Sequence, residues 1–286
     1  MMASRRNPTI SFLSDYGIKD EFVGVVKSVI HSLAPDSKVI DISHDIKAHD
    51  IRAGGLTLAR SAQYLDKGIV LAVVDPGVGG SRKGVAVEVN GGDYVFVGPD
   101  NGLLPPAIAM LGESTRAVEL NNPDFHLPAL SSTFAGRDIF APVAAHLTLG
   151  VSLDELGSPV PVYSLQPGIL PVGGVSGEVA SGEVLWQDRF GNLQLNLSPE
   201  DIQDLGETFM LRSGEMSRRV VTVETFEAIP SSEIGLITDS SGLVSIAMFG
   251  RSAAEELSLF EGQQVELTPV EDERRNAIPV TLRKER

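Results

Sequence analysis

The chain has 286 residues, enough for two domains, and an ordinary globular composition of 42% hydrophobic and 21% charged residues. Its formal net charge of −15 argues against a nucleic-acid backbone or an anionic membrane as partner, since both are bound by clustered Lys and Arg. With no cysteine, disulfides, thiolate zinc sites and cysteine nucleophiles are excluded; the lack of a signal-peptide run, or of a span of roughly 20 apolar residues, leads us to expect a cytoplasmic protein.

In chain order, Thr9–Leu13 reads as a strand and Glu21–Leu33 as a helix, with Phe22, Val25, Val26, Val29 and Ile30 at helical spacing. Lys38–Ile42 is expected as the second strand and Ile51–Tyr64 as the second helix. Ile69–Val74 is a continuous apolar run, the pattern of a strand buried on both faces. Gly84–Val89 and Tyr94–Val97 read as further strands, and Asn101–Met110 and Ile139–Leu149 as helices, Pro142 suiting the first turn of the latter. Strands alternating with helices of this length predict an α/β layer with a mostly parallel sheet, over residues 1–160.

The composition then changes. Gly157–Gly177 carries Pro159, Pro161, Pro167 and Pro171, too many for a helix or a central strand. A proline-rich linker over residues 161–174 is expected. Beyond it, short alternating runs follow at Glu178–Trp186, Asn192–Asn196, Thr208–Leu211, Arg218–Val223, Leu243–Met248, Gln264–Leu267 and Ile278–Leu282. They predict a smaller all-β, barrel-like domain over residues 175–286, ending in a charged, partly solvated tail from Pro269.

Candidate site residues cluster where strands end. After Ile69–Val74 comes DPGVGGSR. Gly77 and Gly79 begin a G-x-G-x-x-G pattern, but Arg82 stands at its sixth position, and GSRKG does not supply the end of a P-loop. Both phosphate readings fail. A plain tight turn with Asp75 capping its own backbone competes with a ligand site at the carboxyl end of a strand. In FLSDYGIKDEF, Asp15 ends the first strand and Gly17 allows close backbone approach, so Asp15 is suited to accept two O–H groups of a ribose diol. Asp20 opens the next helix and could equally be its N-cap. Arg137 and Asp138 in STFAGRDIFAP fit a capping and ion-pair role, and a hairpin turn explains Asp188 and Asn192 in WQDRFGNLQLN as well as a ligand does. Asp100 and Asn101 are polar in a loop after a strand. The five histidines show no metal-ligand spacing; His44 ends a strand and could lie near the site.

SDYG, DISHDI, VVDPGVGGSR, VGPDNGLL, TFAGRDIFAP and DRFGN, in this order, resemble the S-adenosyl-methionine (SAM) hydroxide adenosyltransferases, relatives of the SAM-dependent fluorinase and chlorinase. The resemblance covers about Ile10 to Leu257. It implies hydrolysis of SAM to adenosine and L-methionine by hydroxide attack at C5′, with SAM as substrate and no cofactor or metal. It also implies a homotrimer whose sites lie between subunits. Asp75 and Arg82 then become a water-activating pair, Asp15 holds the ribose, Asp20 and Asp188 approach the methionine ammonium, and Asn192 reads the adenine edge. The family's third water-activating residue is a His in T-F-H-G-R-D; here Ala135 stands in its place. Loss of an orienting or deprotonating His lowers a rate by about 10²–10⁴-fold. The substitution therefore leaves open a weakened hydrolase using Asp75 and Arg82 alone, compensation by another histidine such as His126, or a protein that binds SAM or adenosine without turnover. A halogenase is the remaining alternative, disfavoured because the Asp75 charge would repel a halide.

Overall fold

The computed structural model describes residues 9–270, and the chain divides into two compact units after Leu170. The first unit holds a seven-stranded sheet of β1 (Thr9–Ser14), β2 (Lys38–Ser43), β3 (Gly68–Val73), β4 (Gly84–Val89), β5 (Tyr94–Pro99), β6 (Ser114–Glu119) and β7 (Ser158–Val160), in the order β2-β1-β3-β5-β4-β6-β7. The pairs β2–β1, β1–β3 and β3–β5 are parallel; β4 and β7 run against the other five strands. Five of the seven strands thus share one direction, the parallel layer that the alternation implied, while three of the six pairings, at the β4–β7 end, are antiparallel.

The apolar run after Gly68 is buried on both faces. Ile69, Leu71 and Val73 pack with Val26 and Ile30 of α1 (Phe22–Leu33) and Val143 and Ala144 of α4 (Ala141–Thr148). Val70, Ala72 and Val74 pack with Leu58 of α2 (Ile51–Ala62) and Ala107 and Ile108 of α3 (Pro105–Leu111). A period of two along the strand feeds two separate cores, and this explains why the run has no polar alternation. The strands at Ser158–Val160, Gly174–Ser176 and Ile234–Thr238 have no counterpart among the expected elements, and two further elements differ in an instructive way. The helix expected at Asn101 begins only at Pro105, because the Asn101 side chain is engaged in the preceding loop, donating to the Val74 carbonyl at 2.8 Å and accepting from Leu103 N at 3.2 Å. Strand β6 was not expected at all: STRAVE is polar at four of its six positions, and only Ala117 and Val118 are buried.

The second unit is a closed barrel. Its strands are β8 (Gly174–Ser176), β9 (Val179–Gln187), β10 (Leu193–Leu195), β11 (Thr208–Ser213), β12 (Met216–Thr222), β13 (Ile234–Thr238), β14 (Val244–Ala247) and β15 (Gln264–Pro269). They follow the order β10-β14-β13-β12-β11-β15-β9, and β9 pairs back with β10, closing seven strands; β8 adds to the outer side of β9. Closure removes the free sheet edges that an open sheet of this size would expose. Val184, Leu195, Phe209, Leu211, Leu236, Ile246 and Leu267 fill the interior. The strand expected at Ile278–Leu282 lies outside the described residues, as does nearly all of the segment expected as a charged tail.

Candidate active site

The register of β1 against β3 pairs Ser14 with Val73, so the chain leaves both strands at the same edge of the sheet. Asp15 N still donates to the Val73 carbonyl at 3.3 Å. This parallel pairing brings two acids, Asp15 and Asp75, to the wall of one cleft of about 250 Å³, shared with Tyr16, Phe22, His49, Phe134 and Ala135. It is the place where open α/β sheets hold ligands.

The DPGVGGSR segment folds back on itself. Val78 N donates to the Asp75 carbonyl at 3.2 Å and Gly80 N to the Gly77 carbonyl at 3.0 Å. Gly79 takes a left-handed φ of 78°, and a Cβ there would sit 2.9 Å from Ser132 Oγ. The fold-back returns Arg82 to Asp75: Nε donates to Oδ1 at 2.8 Å and Nη2 pairs with Oδ2. The fork is almost withdrawn from water, with the Arg82 side chain 16% and the Asp75 side chain 5% exposed. The guanidinium lies 5.4 Å from the centroid of the Phe140 ring. Two of the five guanidinium N–H groups are committed to Asp75, so the carboxylate is held in one orientation toward the cleft.

In the same cleft, Asp15 Oδ2 accepts from the backbone N–H of His49 at 2.9 Å. Tyr16, Phe22 and Phe134 form an aromatic trio with centroid separations of 5.1–5.7 Å. Burial, reinforced by the nearby Asp15 and Asp75 charges and only partly opposed by Arg82, pushes the Tyr16 phenol well above its ordinary value. It therefore stays protonated and can act as an O–H donor throughout the usable pH range. Gly136 closes the space beneath that hydroxyl: a Cβ there would lie 2.1 Å from the oxygen and 3.1 Å from Cζ. Gly136→Ala must displace the ring, and overpacking of this kind costs about 1–3 kcal/mol. We expect a matching fall in stability by urea denaturation, together with weaker ligand binding, because Tyr16 lines the cleft.

Ala135 is 6% exposed and precedes a single π turn, Gly136–Phe140, that runs directly into α4. It borders both the first cleft and a second one of about 530 Å³, whose lining includes Arg82, His126 and Asp138. Arg137 forms a forked pair with Asp138, Nε to Oδ1 at 2.6 Å and Nη2 to Oδ2 at 3.0 Å, and stacks at 5.1 Å on Phe134. This pair is the ion-pair role expected for both. Asp20 is exposed and absent from the cleft lining; the N-cap of α1 is Glu21, without a capping side-chain bond. In the second unit, Asp188 and Asn192 close the β9–β10 hairpin: Asn192 Nδ2 donates to Asp188 Oδ2 at 2.7 Å, and the Phe190 and Asn192 amides donate to Asp188 Oδ1 at 2.9 and 2.8 Å. Sequence reasoning missed Tyr16, Phe22, His49 and Phe134 as lining residues. Tyr16 and His49 lie in the loops after β1 and β2, a signal that could have found them, whereas Phe22 opens α1 and Phe134 precedes the π turn, with no such signal. Among the described residues, no cluster of three or more His, Asp or Glu side chains is arranged to hold a metal ion, and no helix is long and apolar enough to cross a membrane.

The family model for the SAM hydroxide adenosyltransferase N-terminal domain matches residues 10–157, and that for the C-terminal domain matches residues 182–266. The chain belongs to the SAM hydroxide adenosyltransferase family. It is 39% identical to an (R)-S-adenosyl-L-methionine hydrolase of Salinispora arenicola over 91% of this chain and 98% of the relative. A fluorinase of an Actinoplanes species is more distant, 26% identical over 93% of this chain and 99% of its own. Among solved structures, an uncharacterized conserved protein from Thermotoga maritima superposes with a TM-score of 0.84 at 32% identity, covering 91% of this chain and 99% of that one. For this adenosyltransferase family member, the sequence match and the fold match each span 91% of the chain.

Proposed function

We propose that this protein hydrolyses SAM to adenosine and L-methionine, with Asp75 and Arg82 preparing the attacking water. The carrying observation is the forked Asp75–Arg82 pair, with its carboxylate on the same cleft wall system as Asp15. The oxygen of water forms a bond to C5′ as the C5′–S bond breaks. The bonding pair goes to sulfur, which leaves as the neutral thioether of methionine and needs no general acid. The water's proton passes to the Asp75 carboxylate, and the Arg82 guanidinium, which remains protonated, stabilises the hydroxide character that develops. What remains is in-line placement in a cleft with an aromatic wall that limits competing water.

Asp15 holds the ribose diol in this reading. One of its oxygens is oriented by the His49 amide, and the carboxylate keeps lone pairs for hydroxyl donors. Hydrogen bonds to a charged group contribute about 1.5–3 kcal/mol, so Asp15→Ala should lower kcat/KM for SAM by roughly 10- to 100-fold, chiefly through KM. Asp20 and Asp188 toward the methionine ammonium and Asn192 toward the adenine complete the proposal, the latter two supplied by the barrel of a neighbouring copy in a homotrimer. Light scattering on the purified protein tests the trimer. Halide transfer and binding without turnover are not favoured, since similarity to the hydrolase, at 39%, exceeds that to the fluorinase, at 26%. Incubation with SAM and chromatographic separation decides the matter: adenosine and methionine are expected in equal amounts. SAM left intact by both the wild type and Ala135→His would remove the hydrolase reading, and 5′-chloro-5′-deoxyadenosine formed in chloride would replace it.

A further inference from the structure

Behind Asp15, Ser14 Oγ lies 2.7 Å from His44 Nδ1, and His44 Nε2 lies 3.1 Å from Asp41 Oδ1, within ion-pair distance but without hydrogen-bond alignment. The imidazole stands edge-on to Phe12, with centroids 4.6 Å apart. At the outer end, Lys27 Nζ meets Asp41 Oδ2 at 2.6 Å. Burial works upward on the Asp41 carboxyl, but the Lys27 and His44 side chains outweigh it and hold the group below its ordinary value.

Serine, histidine and aspartate in this order are the residue types of a hydrolytic triad. The geometry rules that role out. Ser14 is fully buried, and its Oγ accepts from the Tyr16 amide at 3.4 Å. With the Asp41 carboxylate facing Nε2, a hydrogen on Nε2 leaves Nδ1 as the acceptor for the Ser14 O–H.

The chain of contacts leads instead to the loop carrying Asp15. The carbonyl of His44 accepts from Gly17 N at 2.7 Å, where Gly17 takes a φ of 69°. Five residues on, His49 adopts a φ of 70°, uncommon for a side-chain-bearing residue, and from there its amide orients Asp15. The segment from residue 43 to residue 50 thus grips residues 14–17 at three points: a side chain on Ser14, a carbonyl on Gly17 and an amide on Asp15.

We propose that His44 is a positioning residue, locking this segment to the end of β1 so that the Asp15 carboxylate stands ready for a vicinal diol. The inference rests on the reading of Asp15 as the ribose ligand. Its test is a double-mutant cycle of His44→Ala against Asp15→Ala, read as KM for SAM and as the calorimetric Kd for adenosine, which needs no turnover. His44→Ala should raise both roughly tenfold, with a much smaller change in kcat. In the Asp15→Ala background it should add less than about twofold. His44→Asn, whose amide oxygen can replace Nδ1 as acceptor for Ser14, should recover most of the loss. Where His44→Ala does not fold, Ser14→Ala carries the same cycle. Fully multiplying effects, unchanged constants in the single variant, or no recovery with asparagine would overturn the role of His44. Adenosine bound normally by Asp15→Ala overturns the reading of Asp15 instead, and SAM left intact while adenosine binds overturns only the hydrolysis.

Discussion

Asp75→Asn lowers kcat for adenosine formation by about 10²–10⁴-fold, with little change in KM. The substitution keeps the shape of the side chain and its reach toward Arg82, but it removes the only carboxylate in the fold-back that faces the cleft. It also strands a guanidinium that is mostly buried. Breaking one side of a buried pair costs about 3–5 kcal/mol, and the residual exposure of Arg82 places the expectation toward the lower figure. Stability and chemistry are separated by Asp75→Asn combined with Arg82→Gln. That variant removes both charges and should regain much of the lost stability, yet stay as slow as the single variant. Denaturant unfolding and kcat, measured where both variants are fully folded, check the two parts independently. A kcat for Asp75→Asn within about tenfold of wild type means that another group takes the water's proton.

The parts of this molecule that sequence made legible are those whose cause is local. Ile69–Val74 announces a two-faced buried strand because each residue has an apolar neighbour on one side of the sheet or the other. Asp15 and Asp75 are legible as site candidates because strand ends in parallel sheets open onto crevices. Where the cause lies far along the chain, the signal fades. The contact of Gly136 with the Tyr16 hydroxyl is set by packing between distant segments, and nothing near either residue encodes it. The left-handed backbone of His49, which aims its amide at Asp15, is equally silent in sequence. Strand β6 is hidden by its composition: Ser114, Thr115, Arg116 and Glu119 are not buried on either face, and Arg116 spans Glu88 and Asp154 at the surface. For Asp188 and Asn192 the turn chemistry already accounts for the residue types, since each bonds the other within the hairpin, and a ligand role adds no separate signal in sequence.

Ala135→His should raise kcat by about 10²–10⁴-fold, the contribution of a well-placed acid–base group. Position 135 has helical backbone angles, φ −57° and ψ −30°, so the ordinary helical rotamers of a histidine are open to it. Ala135 packs in the first core yet lines clefts of about 250 and 530 Å³, the space toward which a larger side chain there can turn. The substitution therefore differs from Gly136→Ala one residue on, where a single carbon collides with Tyr16. Between Asp75 on one cleft and Arg82 on the other, an imidazole at 135 could orient the water or relay its proton without disturbing the existing fork. The pH profile supplies a second readout: a new limb near the ordinary titration range of histidine, about pH 6–7, should accompany the gain. A large gain with that limb means that the wild-type site is complete except for one base. A faster enzyme without the limb points to repacking of the cleft. No gain, with wild-type turnover intact, means that the aspartate and arginine suffice by themselves. If His126 on the second cleft serves instead, His126→Ala should slow the wild type yet leave Ala135→His nearly unchanged, because the introduced ring makes the distant one redundant.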